Sequence, residues 1–238
     1  MTLNKLREFL FPEYDKCIIC SCELNENKRY SICDDCLEKL PFIENHCCLV
    51  CGCPLPNPVT VCIKCKEDRK AFEYNRSVFA YDSPLPILIQ GLKYNGKKYL
   101  AKPLSKLMLD KFMEIEDKID YIIPIPLNPK RLKERGYNQA ELLCESFEEI
   151  GLPVLKDNLI RIKNNPQQAT LSKEERKKNL ENCFDCLDKK KIKNKNILLV
   201  DDIYTTGSTL NEATLTLIKA GANKVYCLTL CNASMNKI

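Results

Sequence analysis

Two adjacent carboxylates, Asp201 and Asp202, close the apolar run Ile197-Leu198-Leu199-Val200, and four hydroxyls surround one glycine in the turn Thr205-Thr206-Gly207-Ser208-Thr209 that follows. A helical pattern begins directly after it. Side-by-side carboxylates accept hydrogen bonds from two neighbouring sugar hydroxyls, or from waters on a divalent cation. Backbone N–H groups freed by the glycine, the hydroxyls and the positive end of the helix dipole together form a phosphate cup. Acids followed by such a cup suit a sugar phosphate. The turn lacks the GxxxxGK(S/T) spacing, so a P-loop nucleotide triphosphatase is not indicated. The plain alternative is a hydroxyl-rich N-cap behind a solvated strand end. The order strand, acid pair, hydroxyl turn, helix favours the ligand.

Thiols are the second concentration of chemistry. Of 16 cysteines, 11 precede residue 66, and they include four CxxC pairs: Cys17/Cys20, Cys33/Cys36, Cys48/Cys51 and Cys62/Cys65. Two thiolates on one tight knuckle grip one face of a tetrahedral ion, and a second pair completes the shell. The spacing predicts two structural zinc sites built from sequential pairs, with a cross-braced pairing as the topological rival. Cys22, Cys47 and Cys53 each adjoin a predicted ligand and could replace it. His46, the only histidine, reads as a loop residue because the thiol shells are already full. A closed all-cysteine site supplies folding energy, not an open coordination position for catalysis. A fifth pair, Cys183/Cys186, reads as strand with its side chains on opposite faces, and Cys144, Cys227 and Cys231 read as small buried residues. Phe79 belongs to a core, whereas Tyr74, Tyr81, Tyr94 and Tyr99 could stack on bases without any known nucleic-acid pattern to frame them.

Several elements must position these groups. RSVFAYD and DYIIPIP read as strands, SPLPILIQGLKY and KKYLAKPLSKLMLDKFMEI as helices, and NPKRLKERGYNQAELLCESFEEIG as one long helix closed by Gly151. LPVL, ENCFDCLD and NKVYCLTLCNA add strand candidates. Alternating strands and helices predict a parallel sheet flanked by helices, with ligands at the strands' carboxyl ends. The cysteine-rich composition stops near residue 70, which divides the chain into a double zinc ribbon over 1–70 and an α/β domain over 71–238. Residues 1–70 carry 10 Lys and Arg against 11 Asp and Glu, and the remainder carries 27 against 21. The positive excess therefore lies with the α/β domain and suits an anionic ligand. The lysine run DKKKIKNKN reads as a solvated loop. The opening residues place Leu3, Leu6 and Leu10 as on a short amphipathic helix, and charges interrupt any secretory core, so a cytoplasmic location with no membrane insertion is expected.

ILLVDDIYTTGSTL resembles the phosphoribosyl pyrophosphate (PRPP) signature of type I phosphoribosyltransferases. IIPIPLNPKRLKERGYNQAELL resembles the PxPL…R…RGxNQA segment of the ComF family of competence-associated proteins, and LIRIKNNPQQATLSKEERKKNLENCF resembles that family's R…Q…L…R..N..F stretch. A cysteine ribbon ahead of such a domain is similar to that family as well. The resemblance implies a type I phosphoribosyltransferase-like fold. It implies that Asp201 and Asp202 hold the ribose hydroxyls, directly or through Mg²⁺, and that Thr205, Thr206, Gly207, Ser208 and Thr209 hold the 5′-phosphate. Arg131 and Arg135 would meet the pyrophosphate, with Lys93 a further candidate. Residues 161–180, with Gln168 and Arg176, would form a lid that excludes water. The implied role is the handling of single-stranded DNA during natural transformation, with DNA-uptake or recombination proteins as partners. A phosphoribosyltransferase of nucleotide salvage is the alternative, and no base-recognition residue is evident for it.

Overall fold

The apolar run that carries the acids becomes the inner strand of a four-stranded parallel sheet. In the computed structural model, residues 16–24, 28–44, 46–162 and 183–234 are described. Strands β1 (Asn75–Ala80), β2 (Tyr121–Pro124), β5 (Asn196–Tyr204) and β6 (Lys224–Asn232) lie in the order β1-β6-β5-β2, every pairing parallel. Ile197 and Leu199 point to one face and Leu198 and Val200 to the other, by strand periodicity. All four are fully buried, so both faces are covered. That explains why this strand reads as a continuous apolar run without alternation.

Helices α1 (Asp34–Leu37) and α2 (Ile63–Glu67) are single turns within the cysteine-rich region. The sheet's flanking helices are α3 (Leu85–Tyr94), α4 (Ala101–Met113) and α9 (Ser208–Lys219). The long helix expected over residues 128–151 is instead three short ones, α5 (Pro129–Arg135), α6 (Gln139–Leu142) and α7 (Glu145–Glu149). Gly136 takes the left-handed conformation at φ 79° and ends α5. Asn138 then caps α6 by accepting from the Ala140 N–H, and its amide also donates to the Ile125 carbonyl. A left-handed glycine followed by an N-cap is a stop and a restart, and apolar periodicity running through both concealed them.

Two strand expectations also change. LPVL contributes only an isolated bridge between Ile122 and Val154. ENCFDCLD supplies β4 (Phe184–Cys186), which pairs antiparallel with β3 (Leu159–Arg161) outside the parallel sheet. Helix α8 (Lys189–Ile192) follows β4. Cys144, Cys183, Cys186, Cys227 and Cys231 are all buried, and Phe79 is core. Among the described residues no helix is long and apolar enough to cross a membrane. The amphipathic pattern of Leu3, Leu6 and Leu10, and the lid residues Gln168 and Arg176, lie outside the described residues.

Packing divides the chain into two compact units, Met1–Leu40 and Pro41–Ile238. Composition marks its change near residue 70, but the second cysteine cluster packs with the sheet. Cys48, Cys51, Cys53 and Cys65 share one core with Phe72, Leu199, Leu217 and Cys227. The Cys51 carbonyl accepts from the buried amides of Asn75, at 3.0 Å, and Asn232, at 2.8 Å. Gly52 sits at φ 69°, where an added Cβ would lie 2.6 Å from the Asn75 carbonyl oxygen. Ser21, in the equivalent place in the first ribbon, holds φ 64° with a side chain, so the left-handed turn alone does not demand glycine. Close approach to β1 does. Gly52→Ala is therefore expected to lower the thermal midpoint of the larger unit by about 5–10 °C, from backbone strain plus the clash. An unchanged midpoint would refute the close-approach argument.

Candidate functional site

Asp201 and Asp202 lie one step past the last β2–β5 pair, Pro124 with Val200, where the Ile125 N–H donates to the Val200 carbonyl at 2.9 Å. The chain leaving β2 then passes in front of the acids. A pocket of about 180 Å³ opens there, and its lining includes Lys93, Asn128, Arg131, Arg161, Asp201, Asp202 and Thr209. Strand periodicity sends neighbouring side chains to opposite faces, yet both carboxylates reach this one space at the strand end.

The charges are closely matched. Lys93 Nζ forms an ion pair with Asp202 Oδ2. Burial works against the Lys93 ammonium, but the Asp202 carboxylate outweighs it and holds the lysine above its ordinary pKa. Burial, reinforced by the negative charge of Asp202, pushes Asp201 well above the usual carboxylate range. Asp201 Oδ1 accepts the Asp202 N–H at 2.8 Å. Apart from Asp202 Oδ2, which Lys93 pairs, two buried side-chain polar atoms among the described residues lack a hydrogen bond, Ser146 Oγ and Arg161 Nε. Arg161 lines this pocket. Buried polar atoms are nearly always satisfied, and exceptions mark places where a ligand supplies the partner. Arg161 reaches the pocket from β3 with its guanidinium 5.6 Å from the centre of the Phe184 ring.

The hydroxyl turn follows immediately along the chain. Gly207 stands at the N-terminus of α9 with φ 73°, and a Cβ there would meet the Tyr204 ring, with Cζ at 2.7 Å. Tyr204 is itself buried, so glycine alone fits this turn. Thr206 Oγ1 and Ser208 Oγ are 2.8 Å apart. Thr205 is exposed, and Thr206, Ser208 and Thr209 are half-buried. Of the residues expected at the site, Lys93, Arg131, Asp201, Asp202 and Thr209 share the pocket, with the rest of the turn beside it. Arg135 does not; it faces a neighbouring pocket and donates to Gln139 Oε1. Asn128 and Gln139 were not anticipated, and Arg161, expected only as the first residue of the lid segment 161–180, lines the pocket from β3. Asn128 carried a signal, since an Asn before Pro at a helix start is an N-cap, and its side chain accepts from the Lys130 N–H. Arg161 carried its place in the stretch that resembles the family's R…Q…L…R..N..F pattern.

A larger pocket of about 540 Å³ lies elsewhere, where Glu44, Glu114, Glu116 and Asp117 outnumber Arg76 and Lys111. That balance disfavours a phosphate. The acid-ended strand is the better candidate.

The cysteine clusters are two copies of one design. Cys17, Cys20, Cys33 and Cys36 have their sulfurs within 4.8 Å of one another, as do Cys48, Cys51, Cys53 and Cys62. The groups are drawn from neighbouring pairs, not cross-braced ones. Bridges Lys16–Glu23 and Cys47–Pro54 close the equivalent turns. Cys33 N–H donates to Cys17 Sγ and Cys62 N–H to Cys48 Sγ, each at 3.4 Å. A tetrahedral zinc with Zn–S bonds of about 2.3 Å sets its sulfurs about 3.8 Å apart. Cys20 and Cys33 sulfurs are 3.7 Å apart, and Cys51 and Cys62 sulfurs 3.8 Å. The donor sets fit zinc. In the second cluster Cys53 lies with Cys48, Cys51 and Cys62, and Cys65, expected as a ligand, also brings its thiol against those of Cys48, Cys51 and Cys62, so five thiols crowd the second site. The left-handed turn at Gly52 brings Cys53 back onto the knuckle, and its carbonyl accepts the Cys48 N–H at 2.8 Å. His46 lies outside both clusters, with Nε2 2.8 Å from the Val59 carbonyl.

Residues 97–237 match the phosphoribosyl transferase domain family and residues 6–66 the double zinc ribbon domain family. Competence protein F of Haemophilus influenzae is 30% identical over 228 residues, covering 92% of this chain and 97% of that protein. The chain belongs to the ComF family. Among its ComF-family relatives, competence protein ComFC of Bacillus subtilis is 29% identical, with 86% of this chain and 89% of that one covered. The DNA utilization protein YhgH of Salmonella typhimurium is 30% identical, with 77% and 83% covered. The family's phosphoribosyl transferase domain takes in β2, β5, β6 and the lining of the acid-ended pocket apart from Lys93. Its ribbon region takes in both cysteine clusters.

Proposed function

We propose that this ComF-family chain binds PRPP at the acid-ended strand and handles single-stranded DNA in natural transformation. The observation that carries the PRPP reading is the convergence of Lys93, Arg131 and Arg161 on the paired acids Asp201 and Asp202 in one pocket, with the buried Arg161 Nε left without a hydrogen-bond partner. In this reading Asp201 and Asp202 accept from the ribose hydroxyls, and the turn Thr205–Thr209 holds the 5′-phosphate at the start of α9. Lys93, Arg131 and Arg161 face the pyrophosphate, where the forks of the two arginines suit phosphate oxygens. Lys93 exchanges part of its contact with Asp202 for the ligand. Arg135 acts beyond this pocket.

Charge determines what such a site can catalyse. The C1–O bond to pyrophosphate breaks, its electron pair leaves with the pyrophosphate, and an acceptor nucleophile forms the new bond to C1. Cations fixed around the leaving group stabilise it without reorganising. Asp201 and Asp202 would be the residues to hold Mg²⁺, which would supply charge neutralisation to a departing pyrophosphate. The competence reading is supported by the relatives' names together with the positive excess of the sheet domain.

The test is calorimetric titration of Mg²⁺–PRPP into the zinc-loaded protein and into its Asp201→Asn/Asp202→Asn variant. Saturable heat that weakens at least about 100-fold in the variant is expected, since two charge-assisted contacts at about 1.5–3 kcal/mol each are lost. Absence of heat at several temperatures, with an unchanged thermal midpoint, would overturn the PRPP reading. Pyrophosphate release that depends on a free nucleobase would point instead to nucleotide salvage.

A further inference from the structure

Beside the acid-ended pocket lies a second one of about 330 Å³, and the two share Lys93 and Arg131. Its other walls include Tyr94, Glu134, Arg135 and Tyr137. Tyr94 ends α3 with 71% of its surface exposed. The Arg135 guanidinium lies 5.2 Å from the centre of its ring, and Lys98 Nζ lies 4.6 Å from the centre of the Tyr137 ring. Tyr137 is buried and fixed by its hydroxyl, which donates to the Leu92 carbonyl. Residues 93–98 and 130–135 together carry seven cations, Lys93, Lys97, Lys98, Lys130, Arg131, Lys133 and Arg135, against the single acid Glu134.

Such a lining is selective. A free nucleobase is neutral and would gain from the tyrosines but little from the cations. A bare phosphate would gain from the arginines but not from an exposed ring. A nucleotide uses both, with its base on an aromatic face and its phosphate on a guanidinium fork. The excess of cations beyond the pocket suits further phosphates along a strand. We infer that this tyrosine- and cation-lined pocket is a nucleotide subsite for single-stranded DNA, with a base stacked on Tyr94 and its phosphates on Arg131 and Arg135. The subsite rests on the single-stranded DNA part of the proposed function. Its adjacency to the acids places the strand next to the ribose centre and fills the missing acceptor side with a polynucleotide in place of a free base.

Fluorescence anisotropy of a fluorescein-labelled dT12 with the full zinc-loaded chain tests this, at several salt concentrations. Tyr94→Ala is expected to bind about tenfold more weakly, a stacking loss within the usual range, with an unchanged salt slope. Tyr94→Phe should keep the affinity, and Arg135→Gln should reduce the salt slope by about 0.7. Mg²⁺–PRPP binding should be unchanged in Tyr94→Ala, because Tyr94 does not line the acid-ended pocket. Wild-type binding with Tyr94→Ala within twofold of it would overturn the subsite and leave the DNA reading standing. No binding by the wild-type chain at 50 mM salt, a condition at which phosphate contacts are strong, would overturn both. Displacement of the oligonucleotide by equimolar dTMP would assign the pocket to a free nucleotide and overturn the strand as its ligand.

Discussion

Cys48→Ser is expected to unfold the larger unit, whereas Cys17→Ser leaves that unit's melting transition in place. The two cysteines hold equivalent positions in the two ribbons, and each accepts a backbone N–H at 3.4 Å from the second pair of its cluster. Their surroundings differ. Cys48 is fully buried in a core that also contains the inner strand and α9. The neighbouring Cys51 carbonyl is held by Asn75 of β1 and Asn232 of β6. Structural zinc contributes on the order of 10–16 kcal/mol of apparent folding energy. The whole stability of a domain is about 5–15 kcal/mol, so losing the second ion exceeds what the sheet can supply. Losing the first ion removes a cluster within Met1–Leu40, a unit with its own boundary. Hydrogen exchange of the β5 and β6 amides separates the cases: protection should vanish in Cys48→Ser and persist in Cys17→Ser. Equal loss in both variants would sink the assignment of the second ribbon to the sheet's core.

Asp201→Asn should make the ligand-free protein more stable at neutral pH while weakening PRPP binding. Burial first, and the Asp202 charge second, raise the Asp201 carboxyl well above the ordinary range. A carboxyl raised in the folded state favours folding when protonated. Its contribution is fully present below the unfolded value of about 3.9 and is lost as pH rises through the folded value. At neutral pH the fold therefore bears a penalty that asparagine removes. Asparagine can still accept the Asp202 N–H, so the strand end keeps its geometry, and Lys93 keeps its ion pair with Asp202. The variant's thermal midpoint should exceed the wild type's at pH 7–8, with the gap closing as pH falls toward about 4. A variant less stable than the wild type at every pH would refute the argument. Stability given up at a binding strand is the expected trade where a site holds like charges for a ligand.

Much of this was legible in the residues because it is local. The run Ile197–Val200, the acids after it and the glycine turn occupy consecutive positions, so strand, site and helix start appear in order. The four CxxC pairs announce their metal through spacing alone, since a knuckle is a short-range structure. Local glycine chemistry was also present but overridden: Gly136 and Asn138 stop and restart a helix that apolar spacing carried straight through. Relations across the chain were not legible. Arg161 meets Asp201 only because β3 and β5 bring residues 40 positions apart around one pocket. Cys53 joins the thiols of the second cluster through a turn geometry set by Gly52, and Gly52 is required by the carbonyl of Asn75, not by its own turn. Tyr94 and Arg135 carry no shared motif, yet they stack because α3 and α5 end side by side. Sequence determined which chemistry the chain carries, since residue type and short spacing set local conformation and ligand class. Tertiary structure alone decided which charges meet, because burial and ion pairing depend on contacts between segments distant along the chain.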